Sequence, residues 1–287
     1  MRIETRRRFR QVDVFGSGPI SGNPLAVVVD ADGLSTEDML GLTRWMNLSE
    51  STFLLPPISP EADYRVRIFT LAGELPFAGH PTLGSCHSWL AAGGEPGRGD
   101  VIVQECGAGL IRIKRDGESL AFAAPPLERE GPIEEELLAE IVAVLDIDRT
   151  VVVDAAWVDN GPGWVGVLLD DAEAVLAIDP HDELVPDGAS LDIGVVGPHS
   201  ADSEFAFEVR AFFSDDHGNL REDPVTGSLN ASLGQWLLGS ERAAAPYLAR
   251  QGTRLGRSGR ILVDQDEEGT VWVGGATVTV VDGTIAL

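Results

Sequence analysis

The sequence predicts an α+β fold made of two similar halves, each with a β-sheet and a central helix. Three observations predict it. One stretch of the first half recurs in the second half, each copy runs from an alternating strand pattern through a loop into an apolar helix pattern, and a proline- and charge-rich segment lies between the copies. A chain of 287 residues is long enough for two domains of moderate size.

The repeat relates two stretches that begin at Val66 and Val209, 143 residues apart, and it needs no gap. Matches in a single register are a stronger sign of duplication than the same number scattered along the chain. The identical pairs are Val66 with Val209, Arg67 with Arg210, Phe69 with Phe212, Pro81 with Pro224, Gly84 with Gly227, Ser85 with Ser228, and Leu90 with Leu233.

Each copy begins with alternating apolar and polar residues, 64–70 or 205–213, which predicts a strand. A loop and an apolar segment follow, and that segment predicts a helix. Pro81 and Pro224 suit the first turn of these helices, because a missing N–H costs little there.

The flanking segments predict the remaining elements. Helices are expected over 35–46 and 133–145, a hairpin turn at Gly107 and Gly109, and a linker over 125–132. We expect an N-terminal domain of residues 1–124, completed by a last strand at 276–287, and a C-terminal domain of residues 125–275. Further strands are expected over 11–15, 53–55, 101–104, 110–115, 151–158, 260–264 and 271–273.

Composition excludes several classes of protein. An apolar fraction of 44% excludes a disordered chain, and a net charge of −25 disfavours binding to nucleic acid or to anionic membranes. No apolar run is long enough to span a bilayer, and none follows the basic start, so we expect a cytoplasmic protein without a signal peptide. Two cysteines, Cys86 and Cys106, are too few for a disulfide framework and lack metal-ligand spacing.

The predicted chemistry lies at the starts of the two repeated helices. A helix start offers unpaired N–H groups and a positive dipole end, which suit the carboxylate of a small substrate. We expect the two starts to converge at the domain boundary. His80 and Asp223 hold matching positions in the repeat, and an imidazole and a carboxylate can exchange protons with a bound substrate.

Glu50 is a third candidate, because it lies between an amphipathic helix and an apolar strand, where burial would favour a general base. Each candidate also has a structural alternative. His80 could be a structural histidine, Asp223 a helix cap, and Glu50 a capping-box or surface residue. The other histidines, His87, His181, His199 and His217, have no metal-ligand spacing and receive no role.

At these residues the sequence resembles a known family. The segments NLSESTFLL, ELPFAGHPTLG and EDPVTGS resemble the signature segments of PhzF-like proteins, named after a phenazine-biosynthesis isomerase. SGNPLAVVV and QECGAGLI fit the same pattern, and the resemblance runs from about Val12 to the end of the chain. It implies the diaminopimelate-epimerase-like fold, with two pseudo-symmetric domains and the site in the cleft between them.

The resemblance also implies roles. Glu50 would remove a proton from carbon and return it elsewhere, while His80 and Asp223 would polarise or protonate polar substituents. No metal and no organic cofactor would be required, and the protein would be a homodimer. Backbone N–H groups around Gly79, His80 and Gly227, together with the Ser228 hydroxyl, would hold the substrate carboxylate, and Asn23 would lie beside them.

Departures from the family pattern limit what the resemblance implies. Diaminopimelate epimerases use a pair of cysteines, whereas the corresponding loops of this chain have none, so racemisation by two thiols is not expected. Leu71 and Leu229 differ from many relatives, so the phenazine substrate is not implied. The alternatives are an epimerase or racemase of a small acid and a non-catalytic protein that binds small carboxylates.

Overall fold

The computed structural model describes residues 5–117, 119–185, 191–215 and 218–287. The contacts within the chain divide it into two compact units. Unit 1 comprises residues 1–123 and 274–287, and unit 2 comprises residues 124–273. His217, which received no role above, lies outside the described residues.

Unit 1 contains a mixed sheet in the order β18-β1-β2-β3-β4-β6-β7-β8, with the short β5 beside β4. Strand pairs β2–β3 and β4–β6 are parallel, and the other pairs are antiparallel. Its elements are β1 (Arg6–Val14), β2 (Asn23–Val28), α1 (Thr36–Met46), β3 (Ser51–Leu55), β4 (Tyr64–Phe69), β5 (Glu74–Leu75), α2 (Gly79–Ala91), β6 (Val101–Cys106), β7 (Gly109–Asp116), β8 (Ser119–Ala123) and β18 (Thr277–Ala286).

Unit 2 repeats this topology in the order β9-β10-β11-β12-β13-β15-β16, with β14 beside β13. Pairs β11–β12 and β13–β15 are parallel, as are their counterparts in unit 1. Its elements are β9 (Arg129–Pro132), α3 (Glu135–Leu145), β10 (Val152–Asp159), β11 (Trp164–Leu169), α4 (Ala172–Ala177), β12 (Asp192–Pro198), β13 (Phe207–Ser214), β14 (Leu220–Asp223), α5 (Gly227–Gly239), β15 (Tyr247–Gln251) and β16 (Gly259–Gln265). Strand β17 (Val271–Gly275) begins in unit 2, and its last two residues belong to unit 1.

Each unit therefore encloses one central helix, α2 or α5, and most residues of both helices are buried. A helix enclosed on all sides needs small residues where strands approach it. A Cβ on Gly84 would lie 2.5 Å from Leu25 Cδ2, and one on Gly234 would lie 2.8 Å from Val263 Cγ1. These two glycines allow the strands to close around the helices, as the predicted fold class requires.

The outer faces of the sheets carry the amphipathic helices. Helix α1 begins with a capping box formed by Ser35 and Asp38, and it buries Met39 and Leu42 against a cluster that includes Phe53. Helix α3 buries its apolar side in the corresponding cluster of unit 2. The predicted helices at 35–46 and 133–145 are confirmed, while residues 129–132 of the predicted linker form strand β9.

The gapless register of the repeat is wrong after the hairpin that precedes each central helix. Phe69 pairs with Glu74, five residues later, whereas Phe212 pairs with Glu222, ten residues later. Because the second hairpin is five residues longer, the register shifts by five from that point on. Helix α5 then begins at Gly227, so Pro224 lies before the helix rather than in its first turn.

This shift separates the two residues that the sequence placed in matching positions. His80 is the second residue of α2, whereas Asp223 is the last residue of β14, before a three-residue connection to α5. The helix starts align Gly79 with Gly227, so the residue of unit 2 that corresponds to His80 is Ser228. The imidazole of His80 therefore comes from the central helix itself, whereas the carboxylate of Asp223 comes from the strand before its central helix.

No helix in the part of the chain that the structure describes has both the length and the apolar character needed to cross a membrane.

Candidate active site

In unit 1, the topology brings Glu50, His80 and Asn23 together. Asn23 begins β2, Glu50 directly precedes β3, and these strands are parallel, so both residues lie at the same edge of the sheet. Helix α2 starts at that edge and contributes His80 from its first turn. The structure therefore places His80 in contact with both Asn23 and Glu50.

The His80 ring is held between the other two side chains. Asn23 Nδ2 donates to His80 Nδ1 at 3.3 Å, so the neutral ring carries its proton on Nε2. Nε2 lies 3.2 Å from Glu50 Oε2, although its N–H is not aligned as a hydrogen bond requires. The side chains of His80 and Glu50 are only 4% and 15% exposed, so the pair is largely removed from water.

Burial lowers the pKa of His80 to about 3, against 6.5 for the free side chain. The imidazole is therefore neutral at pH 7. A neutral ring with its proton on Nε2 can donate that proton in a hydrogen bond while leaving the negative charge of a neighbouring carboxylate in place. This arrangement is suited to a carboxylate that acts as a base.

The lowered pKa predicts how stability depends on pH. Between pH 6.5 and about 3 the unfolded chain binds a proton at His80 that the folded chain does not bind, so acid reduces the free energy of unfolding. We expect urea titrations of His80→Gln to show a shallower loss of stability below pH 6.5, by up to about 1.4 kcal/mol per pH unit.

The exposed His181 supplies the control for this measurement. Its pKa is raised by a hydrogen bond to Glu183, so its contribution to the pH dependence of stability has the opposite sign. His181→Gln should therefore not make the loss of stability below pH 6.5 any shallower. If the free energy of unfolding falls equally steeply below pH 6.5 in His80→Gln and in the unsubstituted chain, the buried neutral state of His80 is contradicted.

The start of α2 also offers backbone donors. Its N-cap residue Ala78 has no side chain that could close the helix end, and the first helical N–H to bond back is that of Thr82, to the Ala78 carbonyl. Pro81 has no N–H, so Gly79 and His80 present the remaining N–H groups of the first turn. An anion placed there would be stabilised by these two N–H groups and by the helix dipole.

In unit 2, Asp223 is fixed by the loop that leads into α5. The Thr226 hydroxyl donates to Asp223 Oδ2 at 2.6 Å, and the carboxylate is buried. Thr226 is also the N-cap of α5, but its hydroxyl is directed to Asp223 and makes no cap bond to the helix. The N–H groups of Gly227, Ser228 and Leu229 therefore begin the helix without side-chain capping, as in unit 1.

Gln251 holds this loop in place from strand β15. Its Oε1 accepts from Thr226 N at 3.0 Å and from Asn230 Nδ2 at 2.8 Å, and its Nε2 donates to Thr226 Oγ1 and to the Asp223 carbonyl. The side chain is fully buried. Gln104 of unit 1 is also fully buried and donates to Thr82 of α2. Each unit thus anchors the start of its central helix with a glutamine, a feature that the sequence analysis missed.

Replacement of Gln251 by leucine should destabilise the chain. Leucine has a similar volume but leaves the buried Thr226 N–H and the Asn230 amide without their acceptor, which costs of order 2–4 kcal/mol in the free energy of unfolding. Chemical denaturation measures the loss. The exposed Gln265 is the matched control, and Gln265→Leu should change stability by less than about 0.5 kcal/mol. Similar values for the two variants would refute the anchoring role.

Ser228 has two neighbours that the sequence analysis did not select for this site. Asn160 Nδ2 donates to the Ser228 carbonyl at 3.0 Å, and Trp164 Nε1 lies 3.4 Å from Ser228 Oγ. The sequence signal for Asn160 was a DNGPG turn, which marks a loop but does not specify what the loop contacts. Trp164 begins a strand of apolar residues, where its indole cannot be told from core packing.

Two of the histidines that received no role have structural partners. His87 contacts Thr279 Oγ1 at 2.8 Å, and His199 lies 3.0 Å from the buried carboxylate of Glu208. Cys86 and Cys106 are free thiols, and burial raises the pKa of Cys86 to about 12. Among the described residues, no group of three or more His, Cys, Asp or Glu side chains could hold a metal ion.

Comparisons with known proteins agree with this fold. The family model described as "Phenazine biosynthesis-like protein" matches residues 12–283. The chain is 34% identical to "Antisense-enhancing sequence 1" of Schizosaccharomyces pombe over 97% of this chain and 98% of that protein. It is 33% identical to the trans-2,3-dihydro-3-hydroxyanthranilate isomerase of Pseudomonas aeruginosa, over 88% of each chain. A solved structure of a predicted epimerase from Pseudomonas aeruginosa matches with a TM-score of 0.76 and 27% identity, over 97% of this chain and 99% of that one.

The fold is of the diaminopimelate-epimerase-like type, and the protein is an enzyme of the isomerase class. Within that class, the chain belongs to the phenazine biosynthesis-like family, whose model covers most of its length. The resemblance inferred from the sequence motifs is thereby confirmed.

Proposed function

We propose that this protein is a cofactor-independent isomerase that moves a carbon-bound proton on a small, carboxylate-bearing metabolite. Glu50 acts as the base that removes the proton and returns it at another position. His80 and Asp223 hydrogen-bond to, or protonate, polar substituents of the substrate. The observation that carries the proposal is the contact of 3.2 Å between Glu50 Oε2 and the neutral, buried imidazole of His80.

The surroundings of Glu50 support its role as a base. A general base needs a carboxylate that is sheltered from water and close to a donor that fixes its orientation. Glu50 has low exposure, and its Oε2 lies 3.2 Å from His80 Nε2, so a small rotation of either side chain would form the orienting hydrogen bond. Because Asn23 fixes the ring from the other side, the imidazole cannot easily turn away from the carboxylate.

The uncapped helix starts are proposed to bind the substrate carboxylate, through N–H groups of Gly79, His80 and Gly227 and the hydroxyl of Ser228. Helix N-termini are common anion sites, and the absence of capping side chains leaves their donors available. That both starts act on one substrate is part of the proposal, and it is supported by the repeated topology of the two units.

The test is proton exchange in deuterated water. The first substrate to try is trans-2,3-dihydro-3-hydroxyanthranilate, which the Pseudomonas aeruginosa relative isomerises by name, followed by a panel of small hydroxy and amino acids. We expect deuterium at a carbon position of at least one of them, measured by NMR or mass spectrometry. A carboxylate that saturates the protein and never exchanges would favour the alternative of a non-catalytic binding protein.

A second function, epimerisation of a small acid, is favoured by the likeness to the predicted epimerase. An epimerase returns the proton to the carbon that lost it, but on the opposite face. A double-bond shift returns the proton to a different carbon. Stereochemical and positional analysis of the deuterated product separates the two reactions.

We also propose that the protein is a homodimer. Light scattering on the purified protein should give twice the mass of one chain, and the mass of a single chain would contradict this proposal.

A further inference from the structure

Asp192 occupies in unit 2 the place that Glu50 occupies in unit 1. Phe69 and Phe212 are equivalent in the repeat, and they pair with Ser51 of β3 and Ile193 of β12 respectively. The residue that precedes Ser51 is Glu50, and the residue that precedes Ile193 is Asp192. The duplicated topology therefore places a carboxylate at the same position in both units.

The side chain of Asp192 lies on the face of its sheet that covers α5. Gly194, two residues further on, faces this helix, because a Cβ there would lie 2.2 Å from Leu229 Cδ1. Side chains two residues apart on a strand share a face, so Asp192 shares it. Its register partner on β11 is Trp164, whose indole N–H is directed at Ser228 Oγ. Asp192 therefore lies on the same face of the sheet as Trp164, the residue that contacts Ser228 in the first turn of α5.

Around Asp192, hydrogen-bond acceptors outnumber hydrogen-bond donors. Asp192 is partly buried, and no hydrogen bond or ion pair joins its carboxylate to any residue that the structure describes. Burial, together with the negative charge of Asp159, raises the pKa of Asp192 to about 7. Asn160 is only 6% exposed, its amide is held at Ser228, and its Oδ1 receives no hydrogen bond from any described residue.

We propose that Asp192 is a specificity-determining residue of this site, and that it accepts a hydrogen bond from an ammonium group on the substrate. The inference rests on the proposed function, because it assumes that the substrate carboxylate lies at the helix starts. Two neighbouring carboxylates, Asp159 and Asp192, favour a cation over a neutral donor, since a cation relieves their repulsion.

Calorimetry with three ring carboxylates tests this proposal. The probes are cis-2-aminocyclohexanecarboxylate, its 2-hydroxy analogue and unsubstituted cyclohexanecarboxylate. We expect the unsubstituted chain to bind the amino probe roughly tenfold or more tighter than cyclohexanecarboxylate, as a charged hydrogen bond allows. Asp192→Asn should reduce this preference to less than about twofold, without weakening cyclohexanecarboxylate.

The matched control is Asp170→Asn, which removes the same charge from an exposed residue just beyond the far end of β11 and should leave the preference intact. Asp192→Ser provides a second variant in case the asparagine variant folds poorly, and Asp192→Glu should retain part of the preference. Equal affinity for the amino and hydroxy probes would refute recognition of a positive charge.

The outcomes separate this inference from the proposed function. Asp192 has no such role if cyclohexanecarboxylate binds and the amino probe binds no tighter, or if Asp192→Asn keeps the preference for the amino probe. In either case the carboxylate site at the helix starts stands. If none of the probes binds at millimolar concentration, the carboxylate site proposed at the helix starts is refuted, together with the role of Asp192.

Discussion

Glu50→Gln should reduce proton exchange and turnover by at least about a thousandfold while leaving the fold intact. Glutamine keeps the shape of the side chain and an oxygen that can lie beside His80 Nε2, but it cannot take up a proton from carbon. General acid–base groups contribute roughly 10²–10⁴-fold to catalysis, and loss of the proposed base should fall at the upper end of this range. Deuterium incorporation and product formation are measured on the same samples.

The control for this variant is Glu61→Gln, an exposed glutamate of the same unit, which should exchange protons at the rate of the unsubstituted chain. Thermal unfolding of both variants checks that the fold is kept. If Glu50→Gln retains full exchange, Glu50 is not the base. A variant that loses activity and also unfolds at a much lower temperature would indicate a structural role for Glu50.

Asp223→Asn is expected to reduce turnover by at least about a hundredfold. Asparagine Oδ1 can still accept the Thr226 hydroxyl, so the loop before α5 should keep its conformation. The variant loses the negative charge and the ability to exchange a proton, which are the properties assigned to Asp223 in the proposed reaction. Steady-state kinetics should show the loss mainly in kcat, because the proposed carboxylate donors at the helix start are unchanged.

Asp264 of β16 provides the control for this measurement, since it is exposed and lies in the same unit. Asp264→Asn removes one negative charge and should leave kcat unchanged. An increase in KM alone for Asp223→Asn would indicate that Asp223 binds the substrate and takes no part in proton transfer.

The sequence predicted the residues at the helix starts but not their geometry. The motifs identified Glu50, His80 and Asn23 without any information on distance. The structure shows that His80 contacts the other two, because two parallel strands and one helix begin at the same edge. The gapless repeat placed Asp223 opposite His80. Strand pairing shows that the second hairpin is five residues longer, and a hairpin length that varies between copies cannot be read from matching letters alone.

Buried polar residues were the hardest to interpret from the sequence. Gln104 and Gln251 occur in strand patterns where a polar residue is usually assigned to the solvent side, yet both are fully buried and bond to the central helices. Asp192 was not selected either, because a single acid at the start of a strand is common and its equivalence to Glu50 depends on cross-strand pairing.

The sequence by itself determined the α+β class, the duplication, the family and most of the side chains proposed for catalysis, because periodicity and motif spacing are local properties of the chain. Only the tertiary structure decided which groups are buried, which ring nitrogen of His80 carries the proton and where the register of the repeat shifts. Those properties depend on hydrogen bonds and packing between segments that lie far apart in the chain.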